Sequence, residues 1–271
     1  RIGARVMVDF SIYNRTDDSL ADIDYLGHGR DGGYAEYQVV PDDHAHVVDA
    51  DLDDASLATF CCAYLTGEHM LDRARVAPGE TVLITGASGG VGSGLIQLVR
   101  ARGAIPYAVT SAAKVDAVRA LGAEGVVVRD QGGLVDAVLD VVGGEVDVVA
   151  DLVAGPLFND LLRVLRPEGR YSTSGAIAGP VVSLDLRTMY LKHLELHGSS
   201  QGTRGAFRRL VGYIESGAIG PLLAGTYPLS RFHDAQRAFM AKGFVGNLVV
   251  VPDARWDEHG AAHAAEEPTA A

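Results

Sequence analysis

The segment that most constrains the fold of this chain runs from Thr81 to Arg102. The apolar run Val82-Leu83-Ile84 is followed by the loop Gly86-Ala87-Ser88-Gly89-Gly90-Val91-Gly92, and the apolar period of a helix begins directly after it. This order predicts a buried strand, a glycine turn and a helix. Glycines at 89 and 90 leave room for a pyrophosphate at the backbone, and Gly92 lets the helix pack closely on the strand. Because amides at a helix N-terminus attract anions, we predict that residues Ala87 to Gly92 bind a nucleotide.

Alternation of strands and helices continues from this loop to Ser200. Short, almost wholly apolar runs predict six strands, at Thr81–Thr85, Ile105–Val109, Gly125–Val128, Val146–Ala150, Arg170–Thr173 and Leu194–His197. Helices are predicted between most of them, at Val91–Arg102, Ala113–Leu121, Leu134–Val142 and Leu157–Leu165. Strands of this kind are typical of a parallel sheet that helices cover on both faces. The predicted fold class is therefore α/β, with a doubly wound Rossmann sheet.

The regions on either side of this alternation follow other patterns. Turn-rich residues before 50 predict an antiparallel, barrel-like unit with strands Arg5–Asp9, Tyr34–Val40 and Ala45–Val48, a loop over Phe10–Arg30, and then a helix over Asp54–Arg75. After Ser200 the sequence predicts, in order, Thr203–Ser216 as helix, Leu222–Tyr227 as strand, Phe232–Ala241 as helix and Asn247–Val251 as strand. We expect these to return to the first unit, and residues 253–271, which lack an apolar period, to form a disordered tail.

Charge and cysteine content narrow the classes of partner. The 35 acidic and 23 basic residues give a net charge of −12, which argues against nucleic acid or an anionic membrane surface as the main partner. No apolar run approaches the roughly 20 residues that a membrane span needs. The only two cysteines are the neighbours Cys61 and Cys62, so a disulfide framework is excluded, as is usual in the cytoplasm. We therefore expect a cytoplasmic protein that acts on a small molecule.

The end of the second predicted strand indicates which nucleotide is bound. NAD-binding Rossmann folds place an acidic residue there to bond the adenosine ribose, whereas this chain has Thr110, Ser111 and Lys114 and no acid before Asp116. Hydroxyls and a cation suit a 2′-phosphate, and a charge-assisted bond from Lys114 contributes roughly 1.5–3 kcal/mol. The sequence therefore predicts NADP(H). Four further residues are predicted to contact it from the carboxyl ends of the fourth and fifth strands: Leu152, Val153, Ser174 and Gly175.

Several motifs together resemble the medium-chain dehydrogenase/reductase superfamily, which includes zinc alcohol dehydrogenases and quinone oxidoreductases. They are Asp31-Gly32-Gly33-Tyr34-Ala35-Glu36-Tyr37, the Gly86–Gly92 loop, the run from Leu162 to Arg170, and Val245-Gly246-Asn247-Leu248-Val249. The resemblance covers Arg1 to Val251. It implies a partial GroES-like catalytic domain over 1–63, a Rossmann domain over 64–200, a return to the catalytic domain over 201–252 and the tail from 253. It also implies that roughly the first third of the catalytic domain precedes Arg1.

The resemblance further implies a role for Cys62. It lies 25 residues before Ala87, where zinc alcohol dehydrogenases have a ligand of the catalytic zinc, and Thr66 resembles their threonine beside the nicotinamide. Such a zinc has three protein ligands and one open position, and the other ligands would lie upstream of Arg1. Cys61 is expected to fill core space. Because Phe10–Arg30 contains no cysteine, a four-cysteine structural zinc is excluded, and Asn247 replaces the lysine or arginine that usually reaches the pyrophosphate.

Three functions remain open at this stage. The first is hydride transfer between NADP(H) and an alcohol, aldehyde or ketone, assisted by one catalytic zinc that Cys62 helps to hold. The second is a zinc-free NADPH reductase of quinones or enones, which the glycine loop and the missing cysteine lobe favour. The third is a nucleotide-binding scaffold without catalysis, to which only Asn247 points. The family also forms homo-oligomers, and we expect a dimer or tetramer that pairs through the strand Leu194–His197.

Overall fold

The computed structural model describes residues 2–14, 20–129 and 132–265. The strands within these ranges are β1 (Val6–Val8), β2 (Ser11–Tyr13), β3 (Ile23–Leu26), β4 (Gly29–Arg30), β5 (Ala45–Val47), β6 (Thr81–Ile84), β7 (Ile105–Thr110), β8 (Gly125–Val128), β9 (Val146–Asp151), β10 (Leu165–Thr173), β11 (Glu195–Gly198), β12 (Leu223–Pro228) and β13 (Asn247–Val251). The helices there are α1 (Asp54–Ala58), α2 (Phe60–Arg73), α3 (Gly90–Ala101), α4 (Val115–Ala120), α5 (Leu134–Val142), α6 (Phe158–Arg163), α7 (Leu186–Leu191), α8 (Arg204–Glu215), α9 (Phe232–Ala241) and α10 (Trp256–His259). None of these helices is long and apolar enough to cross a membrane.

Two compact units divide the chain. Thr66–Ser200 forms one of them, which we call the Rossmann unit. Arg1–Leu65 and Gln201–Ala271 together form the other, which we call the flanking unit. The flanking unit is thus built from both ends of the sequence, and the Rossmann unit is inserted between them.

The Rossmann unit contains one six-stranded sheet in the order β11-β10-β9-β6-β7-β8, and every neighbouring pair is parallel. This confirms the predicted doubly wound α/β fold. Apart from β10, which begins at Leu165 rather than Arg170, each predicted strand lies within one residue of the observed one. The strand order changes direction between β6 and β9, and in doubly wound sheets ligands bind in the crevice at the carboxyl ends of such strands.

Apolar side chains and one buried ion pair hold the Rossmann unit together. The core on the face of α5 and α6 contains fully buried Val149 and Leu161 beside Leu83. Glu68 on α2 has no exposed surface, and Arg102, the residue that ends α3, donates to its carboxylate at 2.6 Å and to Asp72 at 2.8 Å. Glu68 therefore joins α2 to α3, which gives it a structural role.

The flanking unit contains small separate sheets, which do not close into one barrel within the described residues. β1 pairs antiparallel with β5, and β12 pairs parallel with β13. The predicted loop Phe10–Arg30 instead contains the three-stranded sheet β2-β3-β4. The predicted strand Tyr34–Val40 was also wrong: it forms bends and irregular chain, and Tyr37 is 91% and Val39 96% exposed. No described strand supplies the hydrogen bonds that extended chain in this segment would need.

A threonine interrupts the single helix that we predicted over Asp54–Arg75. Asp53 caps α1 by accepting a hydrogen bond from the Ser56 amide at 2.7 Å. Thr59 then donates through its hydroxyl (2.7 Å) and its amide (3.2 Å) to the Ser56 carbonyl, and this tight turn ends α1 before α2 begins. Threonine side chains that bond to nearby backbone compete in this way with helix continuation.

Polar groups occupy part of the interior of the flanking unit. Asp9 is 1% exposed, and its carboxylate accepts a 3.0 Å bond from the Ser11 amide. The Tyr13 hydroxyl lies 3.3 Å from the same carboxylate and donates to the Gly202 carbonyl at 2.7 Å. The Asp9 amide donates to the His44 carbonyl at 2.8 Å. Burial with few donors raises the pKa of Asp9 from its ordinary value of 3.8 to about 6.

The predicted disordered tail is ordered over Asp253–Ala265; its last residues, 266–271, lie outside the described ranges. Trp256 packs against the cluster of Ala55, Val249 and Val251. The Thr226 hydroxyl of β12 donates to the Gly260 carbonyl at 2.6 Å. The single tryptophan therefore anchors a segment that has no apolar period of its own.

Candidate cofactor site

The glycine loop connects the carboxyl end of β6 to the start of α3. Gly86 has φ +58°, and the amide of fully buried Ala87 donates to the Val109 carbonyl of β7 at 3.3 Å. A Cβ on Gly92 would lie 2.3 Å from the Gly86 carbonyl oxygen, which the protein could not accommodate without moving the loop. Only glycine fits at 92, because the helix packs directly on the turn.

Gly89 has a different environment. It is exposed, it precedes α3 as the N-cap residue, and a Cβ there would meet the Gly86 carbonyl at 3.5 Å, an ordinary contact. Packing within the protein therefore does not require glycine at 89, as expected where a ligand approaches the backbone. Ser93 fixes the first turn of α3, since its hydroxyl donates to the Gly89 carbonyl at 2.7 Å. Between these positions Ser88, Gly90 and Val91 are half-buried at the helix N-terminus.

Polar and cationic residues follow the carboxyl ends of β7 and β8. Thr110 is 4% exposed, so the half-buried Ser111 is the more accessible of the two predicted hydroxyls. The Lys114 amide donates to the Ser111 carbonyl at 3.0 Å, in a turn that places Lys114 directly before α4. Arg129, which we did not predict, is exposed after β8, and its amide donates to the Thr110 carbonyl at 3.0 Å. This edge therefore has two cations, and the first acidic residue after β7 is Asp116, whose side chain is fully exposed on α4.

Arg129 could have been found from the sequence. It is the first residue after the third strand, and in a doubly wound sheet the third strand lies beside the second, so their ends are neighbours. A prediction that considers only the end of the second strand therefore omits Arg129.

The predicted residues after β9 and β10 lie together at the same edge. The Leu152 amide donates to the Thr85 hydroxyl at 2.9 Å, and the Val153 amide donates to the Asp151 carboxylate at 2.9 Å. The Ser174 amide donates to the Asp151 carbonyl at 3.2 Å. A Cβ on Gly175 would lie 2.9 Å from the Leu152 carbonyl oxygen, so this close approach needs glycine. Hydrogen bonds and close packing thus join the loops after β6, β9 and β10.

The remaining predicted residues lie on α2 and on β13. Cys62 is exposed, whereas Cys61 is half-buried, and desolvation raises the pKa of its thiol to about 12, which favours the uncharged form. Thr66 follows on α2 and is 5% exposed. Asn247, in the flanking unit, donates through its amide (2.8 Å) and its side chain (3.4 Å) to the Leu222 carbonyl, so it fastens the start of β13.

A three-ligand zinc site is not complete within the described residues. They contain no group of three or more histidine, cysteine, aspartate or glutamate side chains arranged to hold a metal ion. Cys62 alone, with its exposed thiol, meets the requirement for one ligand. The donors present therefore do not by themselves fit the catalytic zinc that the sequence resemblance implies.

Comparison with known proteins places these features in a family. Residues 90–216 match the zinc-binding dehydrogenase family. The structure of a candidate alcohol dehydrogenase from Sinorhizobium meliloti 1021 is 71% identical, with a TM-score of 0.91 over 93% of this chain and 70% of that one. The 2-octenoyl-CoA carboxylase reductase CinF, solved with NADP and 2-octenoyl-CoA, is 30% identical, with a TM-score of 0.81 over 86% of this chain and 57% of its own.

A curated relative gives the same assignment over a shorter span. The acryloyl-coenzyme A reductase of Sulfurisphaera tokodaii is 30% identical over 185 residues, which are 65% of this chain and 52% of the reductase. The chain thus spans about half the length of that relative. The parallel sheet, the glycine loop at its switch point and a 71% identical structure agree with one another. The chain belongs to the medium-chain dehydrogenase/reductase superfamily of NAD(P)-dependent oxidoreductases.

Proposed function

We propose that this protein transfers hydride between NADP(H) and the oxygen-bearing carbon of a small alcohol, aldehyde or ketone. The observation that carries the choice of cofactor is the edge formed by Ser111, Lys114 and Arg129, which has two cations where an NAD-selective fold has a carboxylate. A 2′-phosphate carries about two negative charges, so cations favour it and an acidic side chain would repel it. NADP bound to CinF supports the same choice.

Different residues along this edge bind different parts of the cofactor. The N-terminus of α3 offers amides and the positive end of a helix dipole to the pyrophosphate, and Gly89 lets it approach. Lys114 and Arg129 hold the adenosine end, and the loops that contain Val153 and Gly175 lie on the other side of β6. The cofactor supplies the hydride. In the reducing direction the carbonyl carbon takes up this hydride and the carbonyl oxygen takes up a proton from solvent, which yields the alcohol.

The test is turnover by protein expressed from its complete gene. Purified protein is mixed with aldehydes, ketones, quinones or α,β-unsaturated thioesters, and oxidation of NADPH and of NADH is followed with each. We expect carbonyl-dependent oxidation that is faster with NADPH. Binding of NADPH without turnover of any carbonyl substrate would instead support a scaffold that has lost catalysis.

Zinc is a separate part of this proposal and rests on Cys62. Because the described donors do not complete a site, we derive no step through the metal. Its test is the zinc content of the wild-type protein, a Cys62→Ser variant and a Cys61→Ser control. About one zinc per chain that is lost only in Cys62→Ser supports zinc-assisted alcohol and carbonyl chemistry. Zinc-free wild-type protein removes Cys62 from the site.

A zinc-free reductase of enones or quinones is the second candidate. The similarity to acryloyl-coenzyme A reductase and to CinF favours it, since both names describe unsaturated or thioester substrates. The product distinguishes the two functions. Reduction of an unsaturated carbonyl compound at its conjugated carbon gives a saturated carbonyl, whereas reduction at the carbonyl carbon gives an alcohol.

We also propose a homo-oligomer that pairs through β11. This strand is the edge of the six-stranded sheet, and Leu186, Tyr190 and Leu191 of α7 are each at least 60% exposed. Unpaired strand edges and exposed apolar side chains are typical of association surfaces. Light scattering of wild type and of a Tyr190→Lys variant is the test, and we expect a dimer or tetramer that the variant weakens. A monomeric wild type would contradict the proposal.

A further inference from the structure

A buried carboxylate lies beneath the proposed cofactor site. Asp151, the last residue of β9, has no exposed surface. The Thr85 hydroxyl donates to its Oδ1 at 2.5 Å, and the Tyr171 hydroxyl donates to its Oδ2. The Val153 amide donates to Oδ1 at 2.9 Å, and the Ala154 amide lies 3.2 and 3.1 Å from the two oxygens. These four donors satisfy the carboxylate without a cation.

The carboxylate and the two hydroxyls that it accepts from lie on or next to three neighbouring strands. Thr85 follows β6, Asp151 ends β9, and Tyr171 lies on β10, in the sheet order β10-β9-β6. The Thr85 hydroxyl also accepts from the Leu152 amide at 2.9 Å, so every amide from Leu152 to Ala154 is bonded to this group of side chains. We call Thr85, Asp151 and Tyr171 the buried triad. It fixes the backbone of the Leu152–Ala154 loop.

The loop that the triad fixes has an unfavourable backbone. Ala154 has φ +54°, a region that residues with a Cβ adopt only with backbone strain. The following Gly155 has φ +61°, and the Ala178 amide holds the Val153 carbonyl at 2.9 Å. Such a conformation persists where surrounding bonds impose it, and it occurs mainly at ligand sites.

Stability alone does not explain the triad. Burying a carboxylate costs several kcal/mol, and apolar side chains of similar volume are often at least as stabilising. Direct acid–base chemistry does not explain it either, because Asp151 has no surface at which a substrate could exchange a proton. Burial and the nearby Asp151 raise the pKa of Tyr171, so its hydroxyl stays protonated and keeps donating. The role that remains for the triad is to hold the backbone of the Leu152–Ala154 loop in place.

The direction of the cofactor along the edge identifies what this loop faces. The pyrophosphate site is the start of α3 after β6, and the adenosine end lies toward β7 and β8, at Lys114 and Arg129. The nicotinamide half must then extend the other way, over the ends of β9 and β10. There Ala154, Tyr171 and Gly175 line a cavity of about 230 Å³.

We infer that the buried triad is a positioning device for the nicotinamide half of the cofactor, with Asp151 as its central positioning residue. The inference rests on the proposed function, because it assumes that NADP(H) lies along this edge. It assigns to Asp151, Thr85 and Tyr171 no contact with substrate. Asp151 and Thr85 act on the cofactor through the backbone of Leu152, Val153 and Ala154, whereas Tyr171 also lines the cavity itself.

The experiment compares two ligands on folded variants of the full-length protein. NADPH spans the whole edge, whereas adenosine 2′,5′-bisphosphate occupies only the adenosine end. Asp151→Ala removes every bond to the carboxylate, Asp151→Asn keeps the acceptor at Oδ1, and Tyr171→Phe removes one donor. We expect NADPH affinity to fall about tenfold or more in Asp151→Ala and less in the other two, with adenosine 2′,5′-bisphosphate affinity unchanged in all three.

Asp147 supplies a matched control on the same strand. At the amino end of β9 its carboxylate accepts from the Thr81 amide (2.8 Å) and hydroxyl (2.9 Å) and pairs with Arg166. Asp147→Asn should lower thermal stability and leave the affinity for both ligands unchanged. Equal losses for both ligands in the triad variants, or unchanged NADPH affinity in folded Tyr171→Phe and Asp151→Asn, would overturn the inference. A wild type that binds neither ligand would refute the proposed function itself.

Discussion

Each unit of the molecule buries an aspartate, and the two carboxylates differ in the hydrogen bonds that they accept. Asp151 of the Rossmann unit receives two hydroxyls and two amides from three strands. Asp9 of the flanking unit receives one amide at 3.0 Å and a hydroxyl at 3.3 Å that is better placed to bond Gly202. The first carboxylate organises a ligand edge. The second is poorly satisfied, and its raised pKa makes it sensitive to pH.

The two units also differ in the size of their sheets. Six parallel strands in the Rossmann unit place their carboxyl ends along one edge, and small changes of backbone there reach a ligand. The flanking unit has sheets of two or three strands. Function in the Rossmann unit should therefore be sensitive to small changes of the backbone, whereas changes in the flanking unit, apart from those at Cys62, should act mainly on stability.

The largest effect is expected for a methyl group added at Gly92. Gly92→Ala places Cβ 2.3 Å from the Gly86 carbonyl, so the phosphate loop must move. We expect a loss of about 3 kcal/mol in the free energy of unfolding and no measurable NADPH binding. Gly212→Ala is the matched control, since Gly212 lies in helix α8 of the flanking unit with no atom within 4 Å of the added Cβ. It should stabilise the protein by about 0.5–1 kcal/mol, and equal effects of the two variants would remove the contrast between the units.

The next effect is a pH-dependent gain from Asp9→Asn. Because the pKa of Asp9 is raised from 3.8 to about 6 in the folded protein, folding favours its protonated form. The stability that this proton contributes is complete below about pH 4 and is lost as pH rises through 6. The amide side chain of the variant mimics the protonated carboxyl at every pH, so Asp9→Asn should stabilise the protein by up to about 3 kcal/mol above pH 7 and hardly at all at pH 4. Chemical denaturation across this range is the measurement, and a gain that does not vary with pH would contradict the assignment.

Removing the edge cations should give a smaller effect, confined to one cofactor. Lys114→Ala and Arg129→Ala are each expected to weaken NADPH binding by roughly ten- to a hundredfold and to leave NADH binding unchanged, because only NADPH has the 2′-phosphate. Arg119→Ala is the control, since Arg119 is a cation of helix α4, which directly follows Lys114, and it pairs with Asp116. Equal losses for NADPH and NADH would show that these cations do not contact the 2′-phosphate.

The smallest effect is expected at the end of the flanking unit. His263 Nε2 lies 2.7 Å from Asp53, but both side chains are about two-fifths exposed. Exposed pairs contribute at most about 1 kcal/mol, so His263→Ala should change the midpoint of thermal unfolding only slightly. Trp256→Ala, which removes the apolar anchor of the same segment, should lower it more. The reverse order would show that the ion pair, and not the packing, holds the segment.

The sequence predicted the Rossmann unit better than the flanking unit. Strands β6 to β9 are apolar runs beside a glycine turn, and this pattern is determined by local chemistry. The consecutive residues Val126, Val127 and Val128 predict a strand even when its partner strands are not known. Ser11-Ile12-Tyr13 and Tyr34–Val40 have comparable composition, and only the first of them pairs with another strand. Pairing between distant short segments is a tertiary property that periodicity does not contain.

The candidate site shows a similar division. The glycine loop, Lys114 and the residues after β9 and β10 could be located because they end predicted strands. The buried triad could not be located, because Thr85, Asp151 and Tyr171 are ordinary residues in the sequence and become a group only when β6, β9 and β10 are neighbours. Trp256 was missed for the same reason, since its partners Ala55 and Val249 are distant in the sequence.

The central claim is that the carboxyl edge of the six-stranded sheet is built for a 2′-phosphorylated dinucleotide. It is tested most directly by the dissociation constants of NADPH and NADH for the unmodified protein, measured by titration in the same low-salt buffer. We predict that NADPH binds at least about tenfold more tightly, as one charge-assisted bond to the phosphate requires. Equal affinities, or tighter binding of NADH, would contradict the claim.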